Sequence, residues 1–355
     1  MIRVLVVEDS PLMCKVLTNL MNSDPQILVV AVASNGKEAV ELVPLLKPDF
    51  ITMDMDMPIM DGLEATKQIM ASSPTPILIV SSSVFQQGME KVFKAISHGA
   101  LDVIDKSELE LVGNKKSGEA LIAKIKFLTS ARVMDQPLMK FRHERALVDL
   151  GAPRKKVSDK IVAIVASTGG PQALLKILQR LPEDFPCGIV IVQHITSGFL
   201  SGLVNWLAKE CKIQVKIGED SEEVRPGTAY IAPDNFHMRV KEGGKISLSD
   251  EPANNGHRPS GDVLLESVAK AYGRGCVGVI LTGMGRDGAM GMKAIKHSQG
   301  MTIAQNEKTC VVFGMPNAAI EMKAIDKVLP LEKIAEEIAL MVRQEFDHST
   351  KRLAE

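Results

Sequence analysis

The sequence predicts two consecutive α/β domains, each a parallel sheet wound by helices on both faces. Three observations carry that prediction. Short apolar runs alternate with helix-period segments along nearly the whole chain. Four of those runs end in acids, a lysine or a serine: VLVVEDS (Val4–Ser10), FITMDMDMP (Phe50–Pro58), LDVIDK (Leu101–Lys106) and IVAIVASTGGP (Ile161–Pro171). A charged, weakly periodic stretch with two prolines interrupts the alternation at 135–159. The 355 residues are also long for one core.

In the first block, strands are expected at Arg3–Val7, Leu28–Val32, Phe50–Met53, Pro76–Val80 and Asp102–Ile104. Helices are expected between them at Leu12–Met21, Lys37–Leu45, Gly62–Met70 and Gly88–Ser97, with a last one at Glu119–Met134. In such a sheet, ligands sit beyond the carboxyl ends of the strands. Glu8, Asp9, Asp54, Ser81 and Lys106 all fall there.

The second block begins at Lys160. Strands are expected at Ile161–Ala166, Gly188–Val192, Gln214–Ile217, Ala229–Ala232, Cys276–Leu281 and Thr302–Ala304. Helices are expected at Gln172–Leu181, Gly198–Lys209, Asp262–Tyr272, Gly288–His297 and Leu331–Glu345. Pro-Asp-Asn and Gly-Gly turns within Thr228–Ser249 predict one or two antiparallel hairpins. The domain ranges read as 1–134, a linker at 135–159, a second domain at 160–346 and a tail at 347–355.

Bulk properties narrow the function. A net charge of −1 gives no electrostatic reason to expect a nucleic acid or an anionic membrane as partner. No apolar stretch is long and charge-free enough for direct membrane insertion. The first strand starts within two residues, which leaves no room for a signal peptide, so a cytoplasmic protein is expected. Five scattered cysteines show neither a C-x-x-C pair nor metal spacing and read as reduced, mostly buried thiols.

Glu8, Asp9 and Asp54 bring three carboxylates above one sheet. Like charges that close repel, and burial raises the cost. A divalent cation relieves it, and Mg2+ suits a set of hard oxygen ligands. Lys106 supplies a cation for an incoming anion, and Ser81 a hydroxyl donor. A carboxylate in that company can attack a phosphoryl group. The blander reading has acids such as Asp9 or Asp61 capping the helices that follow, which does not account for the whole set.

These residues, with D-x-x-M-P-x-x-D-G at Asp54–Gly62 and Ser81-Ser82, make residues 1–133 resemble a response-regulator receiver domain. The resemblance implies a flavodoxin-like five-strand sheet. It makes Asp54 the phosphoacceptor, with Mg2+ on Glu8, Asp9 and Asp54 and the phosphoryl group contacted by Ser81 and Lys106. It implies a histidine kinase of a chemosensory pathway as partner. Val103 stands where receivers often have an aromatic residue, and Ser107 where proline is usual. The aromatic switch of the family is thereby in question. Asp56 matches no acid of the pattern.

The run Ile161–Leu178 reads as strand, tight turn and helix. The helix directs free N–H groups toward Ser167, which suits either an oxyanion or a bound phosphate. It lacks both G-x-S-x-G and a P-loop lysine. His194 ends the apolar run IVIVQHI, and Asp287 follows VGVILTGMG. Serine, histidine and aspartate at three strand ends can converge as nucleophile, base and orienting carboxylate. Each also has a structural alternative, such as Asp287 capping the helix at Gly288. Other histidines need no special role, though His237 and His257 are placed to line the cleft.

Residues 160–346 resemble the catalytic domain of chemotaxis-type protein-glutamate methylesterases. The matching runs are Ala166–Pro171, Val192–His194, Pro226–Pro233, Gly256–Ser260, Gly278–Ala289 and Ala304–Pro316. By that resemblance Ser167 is the nucleophile, His194 the base and Asp287 its orienter. Thr168 and the backbone of Met284 help hold substrate or oxyanion. Methylated chemoreceptors are the implied substrates, glutamine deamidation the implied second activity, and no cofactor is implied in this domain. Val165 replaces a common Gly, Gly261 a common apolar residue, and Gln193–Phe199 lacks the usual prolines.

Overall fold

The computed structural model describes residues 1–82, 86–110, 115–129 and 159–343. The linker expected at 135–159 lies outside these residues except for Asp159, and the tail expected at 347–355 lies wholly outside them.

The first block runs β1 (Ile2–Val7), α1 (Pro11–Asn22), β2 (Ile27–Ala33), α2 (Gly36–Leu46), β3 (Phe50–Asp54), α3 (Gly62–Ser72), β4 (Ile77–Ser81), α4 (Gln86–Ser97), β5 (Asp102–Asp105), α5 (Lys106–Glu110) and α6 (Lys115–Thr129). Its strands form one parallel sheet, ordered β2-β1-β3-β4-β5. β3 and β4 are buried along their whole length, which is why they read as unbroken apolar runs. Ser10, Asn35 and Asp61 cap α1, α2 and α3 through their side chains. The cap on α1 is therefore Ser10 and not Asp9. That leaves Asp9 exposed beside the pocket.

The second block runs β6 (Ile161–Ala166), α7 (Gly170–Leu178), β7 (Gly188–Gln193), α8 (Leu200–Glu210), β8 (Gln214–Ile217), β9 (Thr228–Ile231), β10 (His237–Lys241) and β11 (Lys245–Ser249). It continues through α9 (Gly261–Tyr272), β12 (Cys276–Ile280), α10 (Ala289–His297), β13 (Met301–Gln305), α11 (Met315–Glu321), β14 (Lys327–Leu329) and α12 (Leu331–Arg343). Seven strands form a parallel sheet ordered β14-β13-β12-β6-β7-β9-β8. β10 and β11 form a separate antiparallel pair.

The strand expected at Ala229–Ala232 appears at Thr228–Ile231 in the main sheet, and the hairpin expected within Thr228–Ser249 is the pair at His237–Ser249. β14 and α11 were not expected, because three residues and seven residues are too short to show a period.

The strand order positions the chemistry. After β6 the chain moves to β7, β8 and β9 on one side, then returns to β12 on the other. β6 therefore lies between β7 and β12, and the three strand tips carrying Ser167, His194 and Asp287 are neighbours at one sheet edge. That is the switch-point crevice of a doubly wound sheet.

The two blocks share a continuous apolar core. Val92, Phe93 and Ile96 of α4 are buried with Leu175 of α7 and with Leu200, Leu203 and Trp206 of α8. The Phe93 and Trp206 rings stack with centroids 5.7 Å apart.

Candidate active site

Ser167 follows β6 directly. The turn after it needs two glycines. Gly169 adopts φ 76°, and a Cβ on it would lie 2.7 Å from Val311. A Cβ on Gly170 would lie 2.0 Å from the Gln193 side-chain oxygen. The Gly170 amide donates to the Ser167 carbonyl at 2.7 Å, closing the turn into α7.

His194 is tied to the same place. Its amide donates to the Ala166 carbonyl at 2.9 Å. The buried Gln193 amide group donates to the carbonyls of Ser167 (2.8 Å) and His194 (2.7 Å), clamping the two strand ends together. The His257 ring stacks on the His194 ring at 4.4 Å, and burial followed by the adjacent His194 pushes the His257 pKa down.

Asp287 completes the cluster. Its Oδ2 lies 2.9 Å from His194 Nε2, and its side chain is 1% exposed. Asp287 does not cap α10, whose N-terminus begins at Gly288 without a side-chain cap. It sits instead at the start of α9. Oδ2 accepts from the Gly261 amide (2.6 Å), and Oδ1 accepts from the Ser260 hydroxyl (2.8 Å) and the Asp262 amide (3.2 Å). Burial acts to raise the carboxyl, but His194 and these donors outweigh it and hold its pKa down at about 2. The carboxylate is thus ionised and fixed against the imidazole. With Nε2 facing the carboxylate, Nδ1 is the ring nitrogen turned away from Asp287. The Nε2–Oδ2 approach is a 2.9 Å contact, and neither ring nitrogen of His194 makes a well-aligned hydrogen bond to a described residue.

Met284 lies in the loop after β12, with its side chain exposed. A Cβ on the preceding Gly283 would lie 2.8 Å from the Ser167 Cβ, so this loop runs against the serine. Thr168 is buried, and its hydroxyl donates to Asp102 Oδ2 of β5 at 3.0 Å. Asp102 Oδ2 also pairs with Lys124 at 2.9 Å. Further polar contacts join the blocks. The Thr196 hydroxyl donates to the Val103 carbonyl at 2.8 Å, Gln172 donates to the carbonyls of Ala100 (3.2 Å) and Ile96, and Lys209 pairs with Glu90 at 3.3 Å.

His237 does not line this cleft. It is buried on β10, with Nε2 at 3.1 Å from the Pro252 carbonyl.

The acidic pocket lies on the first sheet. Glu8, Asp9 and Asp54 each offer a carboxylate oxygen, all within 4.8 Å of one another. Lys106 Nζ lies 3.0 Å from Glu8 Oε2 and 2.8 Å from Asp54 Oδ2. Burial pushes the Glu8 and Asp54 carboxyls up, with mutual repulsion adding to it at Glu8 and Lys106 opposing it at both. A hard oxygen set with raised pKa values and surplus negative charge fits a divalent cation such as Mg2+. Ser81 ends β4 beside Asp105 in register and is buried. Asp56 pairs with Lys91 on the surface at 3.3 Å and stays outside the pocket.

Gln193, Ser260, Gly261 and Asp102 are not marked in the sequence as partners of the cluster. The glutamine of V-Q-H and the serine of R-P-S stand in recognisable runs, but their hydrogen bonds are tertiary.

Comparison with known proteins follows the same division. The CheB methylesterase family model matches residues 162–338, and the response regulator receiver domain model matches residues 4–112. A "Protein-glutamate methylesterase/protein-glutamine glutaminase 1" of Syntrophus aciditrophicus is 45% identical over 338 residues, covering 94% of this chain and 97% of that protein. A "Protein-glutamate methylesterase/protein-glutamine glutaminase" of Pyrococcus abyssi is 43% identical over 348 residues, covering 96% and 94%. The crystal structure of the Thermotoga maritima CheB methylesterase catalytic domain matches with TM-score 0.51 and 44% identity, covering 52% of this chain and 100% of that one.

Proposed function

The chain belongs to the CheB methylesterase family and carries a response regulator receiver domain; on that premise we propose that it hydrolyses glutamyl γ-methyl esters on chemoreceptor proteins, under control of phosphorylation at Asp54. The observation that carries the reading is the 2.9 Å contact of Asp287 with His194, at the strand tip clamped beside Ser167.

In the proposed reaction, His194 Nδ1 takes the proton of the Ser167 hydroxyl as Oγ attacks the ester carbonyl. The resulting C–O⁻ faces the backbone amides around α7 and the Met284 loop, and Thr168 helps hold substrate there. Collapse breaks the ester C–O bond, and the imidazolium returns its proton to the leaving oxygen as methanol. Water then gives a proton to His194 and attacks the acyl carbonyl; the acyl C–Oγ bond breaks, the imidazolium returns the proton to Ser167 Oγ, and glutamate is released. Asp287 stabilises the imidazolium without taking the proton. The same steps on a glutamine side chain release ammonia, and the names of the relatives support that second substrate.

Control follows from position. Glu8, Asp9 and Asp54 would hold Mg2+, which when bound would supply positive charge against an incoming phosphodonor. Asp54 accepts the phosphoryl group, and Lys106 and Ser81 contact it. The phosphoryl group carries about −1.5 to −2 charge and must act by interacting differently with two arrangements of the receiver. The receiver's α4 and β5 lie against α7, α8 and Thr168, so this face is the proposed gate. The proposed division is a receiver at 1–134, a linker at 135–159 and a catalytic domain at 160–346. The proposed setting is the cytoplasm, where a sensor kinase supplies phosphate; among the described residues no helix is long and apolar enough to cross a membrane.

The test is methanol release from a methylated receptor. Ser167→Ala abolishes it in this reading. A variant that still turned over would end the assignment.

A further inference from the structure

Asp287 is positioned by neighbours that themselves need a fixed platform. The Gly261 amide donates to Oδ2 at 2.6 Å, and that same oxygen lies 2.9 Å from His194. Any shift of the Gly261 backbone therefore moves the oxygen that orients the imidazole. A Cβ on Gly261 would lie 2.4 Å from Val165 Cγ1 and 2.9 Å from Cγ2. A Cβ on Gly288, the other flank of Asp287, would lie 3.3 Å from Val165 Cγ1. Val165 itself is fully buried in β6, two residues before Ser167.

We infer that Val165 and Gly261 are a size-matched positioning pair that sets Asp287 against His194. The Val165 isopropyl group fills the space beneath the start of α9, and only the missing side chain at 261 lets the Gly261 amide reach Oδ2. A larger residue at 261 meets rigid strand-borne branches, since Val165 has little χ1 freedom. A smaller residue at 165 leaves a void under the amide, into which the α9 start can settle. Both changes misplace one oxygen, and sub-ångström misplacement of a catalytic group is felt in kcat. Volume exchanged between the two positions keeps the sum and so keeps the placement.

The proposal rests on the methylesterase reading above, and its test separates the two. Full-length Val165→Gly, Gly261→Val and the exchanged pair are compared. Each single variant is expected to lose roughly 10-fold or more in kcat for methanol release with KM little changed, and the exchanged pair to return to within about 3-fold of the parent. If Gly261→Val does not fold, Val165→Ala and Gly261→Ala complete the same cycle. A second readout needs no turnover: the His194 ring proton resonance in the full chain is displaced in both single variants and restored in the pair. Single variants that lower Tm but keep kcat and the resonance would overturn the positioning role. An exchanged pair no better than the worse single variant would overturn the size match. A parent that releases no methanol would sink the activity reading, while the resonance still decides the pairing.

Discussion

Asp102→Ala is expected to open the proposed gate without touching the triad. Asp102 reaches across from the receiver to the Thr168 hydroxyl, beside the proposed nucleophile, at 3.0 Å. The bond is charge-assisted and its side chain is 15% exposed, so it is only partly screened. When the gate opens, Thr168 finds water and Asp102 keeps Lys124, so the net loss is a fraction of the gross bond. A hydrogen bond to a charged group is worth about 1.5–3 kcal/mol, and discounting for that exchange leaves about 1–1.5 kcal/mol. That shifts a closed-to-open equilibrium by roughly 5- to 12-fold. Basal methanol release should rise by that factor while the open state stays the minority. Activation by a small phosphodonor should shrink correspondingly, since the ceiling is unchanged. Asp102→Asn can still accept from Thr168, as a neutral group, and should fall between. An unchanged basal rate in Asp102→Ala, with the phosphodonor still activating, would refute this contact as part of the gate. No activation in either protein would refute phosphorylation control itself.

Two further outcomes follow from the charged clusters. Asp54→Asn should abolish activation by a phosphodonor, leave basal hydrolysis in place and weaken the rise in Tm expected of the parent on adding Mg2+, as followed by thermal melts with and without the ion. The Asp287 carboxyl is lowered from 3.8 to about 2 in the fold, so its contribution to stability is full above pH 4 and disappears as pH falls through about 2. That contribution is of order 2 kcal/mol, and urea midpoints between pH 2 and 5 should show a shallower acid loss for Asp287→Asn; an equal slope would refute it.

Local chemistry was legible where burial and turns write directly into the sequence. The buried β3, β4, β6, β7 and β12 read as apolar runs because both faces of a parallel strand are covered. Ser167 and His194 directly follow such runs and Asp287 lies in the loop after one, but their proposed roles came from the family resemblance. Partnerships across long separations were not legible. Asp102 looked like the start of a strand, and only the packing of α4 on α7 and α8 brings it to Thr168. Val165 and Gly261 looked like two unrelated departures from a pattern, 96 positions apart by subtraction, and the fold makes them neighbours. His237 and His257 were indistinguishable in sequence. One is a buried hairpin residue and the other stacks on the proposed base.

The absence of an aromatic at position 103 acquires a physical meaning in this arrangement. Val103 is fully buried, and its isopropyl group offers no ring to swing between an inner and an outer position. What it offers the catalytic half is its carbonyl, which accepts from Thr196, while Asp102 one position earlier accepts from Thr168. Lys106, which would meet the phosphoryl group, follows directly on the end of the same short strand. In the proposed control, a signal from Asp54 to the cleft by this route travels as a displacement of β5. Strands are stiff along their length, and a hydrogen bond weakens steeply once its geometry is lost. A small shift of β5 would break both of its contacts to the catalytic half together, which would give the proposed gate two discrete arrangements rather than a graded one.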